Sequence, residues 1–508
     1  MPRRPIHTTG AAEAPLRSAL RELRRALGVP DAFPAAVLAE ADRAAREPRL
    51  PDADATDLPL FTLDPPRSPD LDQAMHLARR GNGRKGGGGG GGDGGGGRSP
   101  GSGGTGRGTG RGGYRVHYAI ADVAAFVHPG GALDSEAHRR VQTLYFPDGR
   151  TPLHPPVLSE AAASLLPDRT VPALLWRIDL DAEGHTVATD LRRALVRSRA
   201  RLDYATAQRR IDAGTAEEPL ALLKEIGLLR EERERERGGI SLDVPEQEIT
   251  LRDGAYVLDY RAPLPAEGWN AQISLLTGMT AADLMTAAGT GILRTLPTAP
   301  DGAVARLRLS AKALGIDWPH HVSYAEVVRS LDGRDSRHAA FLQECTTLLR
   351  GAGYSVFTGG ELPTPAIHAA VAHEYTHCTA PLRRLVDRYT GELCASICAG
   401  QGVPEWVLAA LEDLPREMAD GARRANTAER ECVDIVEAAL LEPRIGEVFD
   451  GFVVDVRDGE PAVGTVQLRD PAVVATLRGD EALPLGERLR VRLTRAAPGR
   501  DKVLFTPA

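Results

Sequence analysis

From residue 81 to residue 113 the chain is almost all glycine, broken mainly by arginine, serine and threonine. No other feature restricts the fold so directly. Such a stretch cannot bury enough apolar surface to offset the entropy of ordering it, so a disordered surface loop is expected there. The packed parts must then come from the sequence on either side.

Those flanks hold more than one core. At 508 residues the chain exceeds the usual domain size, and two to four domains are expected unless one enzyme domain is large. The apolar and charged fractions, 42% and 26%, are those of a soluble globular protein. No run approaches the roughly 20 apolar residues of a membrane span. The opening MPRRPIHTTG has charge but no apolar segment, so no secretory leader is expected. Cys394 and Cys398 stand one helical turn apart. No second His or Cys pair at ligand spacing accompanies them, so buried thiols in a reducing cytoplasm are expected. The net charge of −7 argues against a chain coated by a polyanion, but leaves room for a basic channel inside an acidic shell.

Apolar residues at helical spacing place two helices between residues 14 and 47, a small adaptor. DLPLFTLD (57–64) has strand character, and Pro65 and Pro66 forbid a helix directly after it. LDQAMHLARR begins a second extended run. YRVHYAIADVAAFV (114–127) is strand-rich and buried, and a helix follows from about Asp134. VPALLWRIDLDAEGHTV predicts a hairpin turning at Glu183 and Gly184. Residues 204–237 are expected to be helical, with REERERER (230–237) as a solvated face. Further helices are expected at 269–289, 381–400 and 404–440. From about Ile445 short alternating strands with Gly and Asp turns suit a five-stranded barrel of the OB type.

Two clusters carry candidate chemistry. In FTLDPPRSPDLDQAM (61–75), Asp64 closes a strand, and Asp70 and Asp72 follow a proline-rich turn that can bring the three carboxylates together. Carboxylates that converge repel one another unless a cation lies between them. Magnesium takes hard oxygen ligands and substrate phosphates. A solvated turn is the competing reading. In HEYTHCTAPLRRLVDR (373–388), Pro381 stands where a helix can start, with Thr379 as its cap and Arg383 and Arg384 in the first turn. Guanidinium groups at a helix N-terminus suit a phosphate. An ordinary ion pair of either arginine with Asp387 is the alternative. Tyr145 is a third candidate, as a base-stacking ring or a core tyrosine.

Taken together these segments resemble the ribonuclease II and ribonuclease R family. DPPRSPDLDQA, IADVAAFVHPGGALDSEAHRR, LYFPDGRTPLHPPVLSEAAASLLPDR, RGGISLDVPE (238–246 with Arg237 before it) and YTHCTAPLRRLVDR occur in the family's order over roughly residues 55–395. The resemblance implies an α+β fold: an RNB catalytic domain with a mixed sheet and surrounding helices, and a C-terminal OB-type barrel. The expected divisions are a helical segment at 1–50, the catalytic domain at 51–400, a helical connection at 401–443 and the barrel at 444–508. It implies a magnesium-dependent 3′-to-5′ exoribonuclease that hydrolyses single-stranded RNA to nucleoside 5′-monophosphates, in the cytoplasm, off the membrane, and expected to be monomeric.

By position, Asp64, Asp70 and Asp72 match family metal-site aspartates, with Asp72 the one expected to be indispensable. Tyr145 matches the aromatic that stacks on bases near the 3′ end. Arg383 and Arg384 match the arginine pair, whose first member contacts the scissile phosphate, and Thr379 is expected to lie against RNA. The chain also departs from the family. Gln73 stands where better-known members carry a fourth aspartate; as a ligand in place of that aspartate its amide can offer the metal a neutral oxygen but no charge. Leu276 and Thr277 stand where many members have glutamates. Ala380 and Leu385 replace the usual Ser and Tyr. Gln73 also supports an alternative, an RNB fold that binds RNA with little or no cleavage.

Overall fold

The computed structural model describes residues 14–66, 68–80, 112–242, 244, 246–252, 255–300, 302–333, 335–349, 351–457, 459–468 and 471–508. The glycine-rich tract, but for its last two residues, lies outside them, as do Asp243 and Pro245 of the 238–246 element.

The two N-terminal helices are α1 (Ala14–Ala26) and α2 (Ala35–Arg46). Next come β1 (Leu60–Asp64), β2 (Gln73–Arg79), β3 (Tyr114–Ala121), α3 (Ala132–Arg140), the short hairpin β4 (Leu144–Phe146) and β5 (Gly149–Thr151), β6 (Thr170–Leu180) and β7 (Thr186–Asp203). Strands β1, β2, β3, β6 and β7 close into a barrel in that order. All its pairings are antiparallel except the closing one, where β1 runs parallel to β7 with Asp64 opposite Asp203. The sheet is thus mixed, as expected, but it closes on itself. Both faces of its wall are covered. One presents Tyr118, Trp176 and Ile178, and the other Ala119, Leu175 and Val196, to separate buried clusters. This double burial explains the apolar run VPALLW (171–176).

Helices α4 (Tyr204–Asp212), α5 (Glu218–Arg237) and α6 (Pro265–Ala288) cover the first face, and a hairpin of β8 (Glu246–Arg252) and β9 (Ala255–Arg261) separates α5 from α6. The charged end of α5 is not simply a solvated face. Arg230 is buried and donates to the carbonyl of Gly184 at 2.8 Å. Buried Glu234 accepts from Ser241 at 2.7 Å and from Gln272 of α6 at 2.5 Å. Residues 230 and 234 lie one turn apart, so the charge run hides a polar seam at helical spacing.

A small lobe follows, of β10 (Gly291–Thr295), α7 (Ala303–Ala313), α8 (Tyr324–Ser330), α9 (Ser336–Cys345) and β11 (Gly353–Phe357), which pairs back onto β10. Then come β12 (Ile367–His368), β13 (His373–Glu374), α10 (Leu385–Cys398), α11 (Glu405–Leu411) and α12 (Leu414–Leu441). The tail, β14 (Val448–Val456), β15 (Val463–Leu468), β16 (Val474–Arg478), β17 (Arg488–Ala497) and β18 (Asp501–Pro507), closes into the five-stranded barrel expected of it.

Helix α1 is more than an adaptor. Its Leu16 and Leu20 share a buried cluster with Val436 of α12, Phe505 of the tail barrel and Phe146 of β4. Its Arg24 lies 4.1 Å over the Phe146 ring and pairs with Asp148 in the β4–β5 turn. The hairpin that carries Tyr145 is therefore fastened to the N-terminal helix and, through it, to the tail barrel. All five cysteines are free, and Cys394 is buried. No helix among the described residues is long and apolar enough to cross a membrane.

Candidate active site

Asp64 ends β1 because Pro65 and Pro66 stop the strand. The chain then turns through residues that borrow their hydrogen bonds from elsewhere. Arg201 of β7 donates to the carbonyl of Ser68 at 2.8 Å, Ser164 accepts from the amide of Leu71 at 2.9 Å, and Ala121 donates to the carbonyl of Asp72 at 2.9 Å. These ties draw Asp70 and Asp72 inward, and both are buried.

Each carboxylate has a different environment. Asp70 meets Arg150 of β5 at 2.6 Å, and the other end of that guanidinium meets Glu160 at 2.6 Å. Asp72 accepts from the amide of Leu382 at 2.8 Å, and its other oxygen lies 3.4 Å from Arg383 Nε. Burial pushes the Asp72 carboxyl up to about 8, with Arg383 only partly opposing it. Burial pushes Asp64 up to about 7, again against the pull of Arg383, and its Oδ2 is buried with no hydrogen-bond partner.

The arginine segment is organised differently from the sequence expectation. Helix α10 begins at Leu385, with Arg384 as the residue that caps it, so neither Pro381 nor Thr379 starts it. Arg383 and Arg384 precede the helix. Their backbone is engaged by the 141–143 segment: Thr143 donates to the carbonyl of Arg383, and Leu385 donates to the carbonyl of Val141. That pairing holds Arg384 extended, after a turn in which the Arg383 amide donates to the Ala380 carbonyl, where the helix was expected. Upstream, Gly278 of α6 lets the segment approach closely, because a Cβ there would lie 2.3 Å from the Tyr375 ring. Thr379 is buried, and its carbonyl accepts from Gln73 Nε2 at 2.6 Å.

The two arginines point to different partners. Arg383 faces Asp72. Arg384 makes the ion pair that was the alternative reading: its Nε and Nη2 both donate to Asp387, the latter at 2.7 Å, and Asp387 also accepts from the amide of Ala380 at 2.7 Å. Arg384 thus shapes the loop that presents Arg383. Tyr145 on β4 pairs in register with Arg150, and its hydroxyl is pushed up to about 12 by burial and then by the nearby charge of Asp70. Asp70, Asp72, Arg383, Arg150 and Tyr145 therefore occupy one electrostatic neighbourhood, assembled from sequence positions more than 300 apart.

Gln73 is not poised to be the neutral metal ligand that the sequence allowed. Its Nε2 is spent on Thr379, and its Oε1 accepts from the hydroxyl of Tyr118. Nor do Asp64, Asp70 and Asp72 form a closed ligand set: no group of three His, Cys, Asp or Glu side chains among the described residues is placed to hold a metal ion. Two arginines stand against two of the three carboxylates. Even so, the site fits a cation. Asp64 is half-buried with an orphaned buried oxygen, Asp72 is buried, and both carboxyls have too little positive charge around them.

Arg150, Arg201 and Asp387 shape this site and were not singled out in the sequence, except Asp387 as a possible partner. A cleft of about 230 Å³ beside the end of β1 is lined by Pro65, Pro66, Arg201, Leu202 and Asp203. A larger one of about 380 Å³, around Asp134, His138, Tyr389, Trp406 and Glu417, contains none of the predicted site residues.

Residues 53–397 match the RNB domain. The chain belongs to the ribonuclease II/R family. Residues 447–508 match the C-terminal S1 domain of RNase II-type exonucleases, which is the tail barrel. Ribonuclease R of Aquifex aeolicus is 27% identical over 368 residues, 68% of this chain and 50% of that protein. The chain spans about half the length, or less, of such relatives. Its fold resembles Mycoplasma genitalium RNase R in complex with ribose-methylated single-stranded RNA (TM-score 0.80, 18% identity, 97% of this chain and 78% of that one). It also resembles yeast Ssd1, a pseudonuclease (TM-score 0.63, 15% identity, 88% and 53%).

Proposed function

We propose that this RNB protein is a magnesium-dependent exoribonuclease that shortens single-stranded RNA from its 3′ end and releases nucleoside 5′-monophosphates, working as a cytoplasmic monomer. One observation carries the reading: the buried Asp72 carboxylate and the Arg383 guanidinium face each other at 3.4 Å, with the Leu382 amide fixing the carboxylate. An acid and a cation held so closely, the acid buried and the cation partly open to solvent, can act on the two ends of one reacting phosphodiester.

Asp64 and Asp72, with Asp70 beside them, would hold the magnesium ion. When bound, it supplies a water of lowered pKa and neutralises phosphate charge. The remaining work falls to the chain. Arg383 stays protonated, because Asp72 offsets the cost of burying it. Its fork suits two oxygens of the scissile phosphate, and its charge opposes the charge that builds there. Arg384, locked to Asp387, keeps that fork in position. Tyr145 offers a ring to the terminal bases, while buried Thr379 acts through the carbonyl that holds Gln73. Discrimination against DNA would come from contacts to 2′-hydroxyls.

Incubation with 5′-labelled poly(A) and magnesium tests this. Label passing through a ladder into short end products, with nucleoside 5′-monophosphates released, is the expected result. A second reading, RNA binding without cleavage, is favoured by Gln73 and by the likeness to a pseudonuclease. It predicts a gel shift with the RNA left at full length.

A further inference from the structure

Gln73 sits where the acidic segment becomes strand β2, and both ends of its amide are engaged. The Thr379 carbonyl can only accept, so the amide must turn its NH2 toward it, and this contact is 2.6 Å long. The orientation leaves Oε1 to accept the one proton of the Tyr118 hydroxyl. Ser274 of α6 then donates to the Tyr118 oxygen at 2.9 Å. A continuous chain of hydrogen bonds therefore runs from α6 through β3 and β2 to the loop that carries Arg383. Tyr118 is fully buried and Thr379 nearly so.

The next residue on the acidic side, Asp72, holds the same loop through the Leu382 amide. Two adjacent side chains thus grip the arginine loop at two points, Thr379 and Leu382. One grip is charged and available to the chemistry, and the other is neutral. An aspartate at position 73 would be one methylene too short to span this gap and would carry no donor for the Thr379 carbonyl. A glutamine supplies that donor.

We propose that Gln73 is a positioning residue: a neutral strut that sets the distance between the acidic strand and Arg383, rather than a ligand to the metal. The inference rests on the exoribonuclease reading for its kinetic readout only. Misplacing Arg383 by about 1 Å is enough to cost on the order of 10²-fold in rate.

Two variants test it. Gln73→Met keeps the volume and removes both hydrogen bonds. We expect kcat to fall by roughly 10- to 100-fold with KM for RNA within about threefold. Mn²⁺ affinity, measured by electron paramagnetic resonance, should stay within about threefold, and excess Mg²⁺ should not restore the rate. Amide hydrogen exchange in residues 379–385 should speed up while exchange elsewhere is unchanged. Gln73→Glu keeps the acceptor for Tyr118 and loses the donor only when ionised. Its kcat relative to wild type should therefore recover as the pH is lowered. A tenfold loss of Mn²⁺ affinity in Gln73→Met, with activity rescued by added Mg²⁺, would make Gln73 a ligand and overturn the proposal. Unchanged exchange in the loop would do so as well. The exchange and Mn²⁺ measurements need no turnover. If wild type fails to cut RNA, the exoribonuclease reading falls while the strut is still judged by these two results.

Discussion

Replacing Asp72 with asparagine separates the chemistry of the site from its stability, and the two should move in opposite directions. The Asp72 carboxyl is 3% exposed and is raised by burial from 3.8 to about 8. A group whose folded value lies above its unfolded one binds its proton more tightly in the fold. Stability is then lost as the pH rises from about 4 and is fully lost above about 8. At pH 7 some three pH units separate the unfolded value from the medium. At 1.36 kcal/mol each, these set a ceiling of about 4 kcal/mol on the penalty in metal-free protein. Water entry and side-chain movement relieve part of it, so roughly 2 kcal/mol is the working figure. Asparagine has the same shape, still accepts from Leu382 and cannot ionise, but its NH2 then faces Arg383 Nε, which takes back part of the gain and is a further reason to set the figure at half the ceiling. In EDTA near pH 8, denaturant unfolding should find Asp72→Asn more stable than wild type by about 2 kcal/mol, with the gap closing toward pH 4. Magnesium should stabilise wild type far more than the variant. Hydrolysis of RNA should fall by at least about 10³-fold, with binding retained. A variant no more stable than wild type at pH 8 in EDTA would refute the account of Asp72 as an underpaired buried carboxyl. A variant that cuts RNA at the wild-type rate would refute its place in the chemistry.

Arg383→Ala should lower kcat by about 10²- to 10³-fold in single-turnover assays, because a preorganised donor to the phosphate is lost. Tyr145→Ala should weaken single-stranded RNA binding by about 1–3 kcal/mol in fluorescence anisotropy, while Tyr145→Phe, which keeps the ring, should bind nearly as wild type. Asp387→Ala strips the acceptor from Arg384 and from the Ala380 amide. It should cost about 3–5 kcal/mol in denaturant unfolding, with part recovered by adding Arg384→Met.

What the sequence revealed here depended on the range of the interaction. Strand β1 stops where Pro65 and Pro66 require it, and the tail barrel follows from alternation and turn residues; both are local properties. The α10 start was misread because its decisive contact is not local. Pro381 and Thr379 have the chemistry of a helix start, but the segment holding Val141 and Thr143, some 240 residues earlier, bridges to Arg384 and keeps that residue extended. Arg150 escaped notice for the same reason. Nothing beside it in LYFPDGRTPLHP tells that its partner is Asp70, 80 positions away. The buried Arg230 and Glu234 lay inside a run that looks like solvated surface, and only distant partners, the Gly184 carbonyl for Arg230 and Gln272 of α6 for Glu234, select those two. Gln73 shows the limit most clearly. Against a family pattern it registers as a missing charge. Against its neighbours Tyr118 and Thr379 it is a donor and an acceptor in the one arrangement where an aspartate would lack a proton. A loss of metal ligand and a gain of scaffold are then the same substitution. The site's metal demand must be judged from the carboxylates that remain underpaired, Asp64 and Asp72, rather than from how many acidic positions the chain retains.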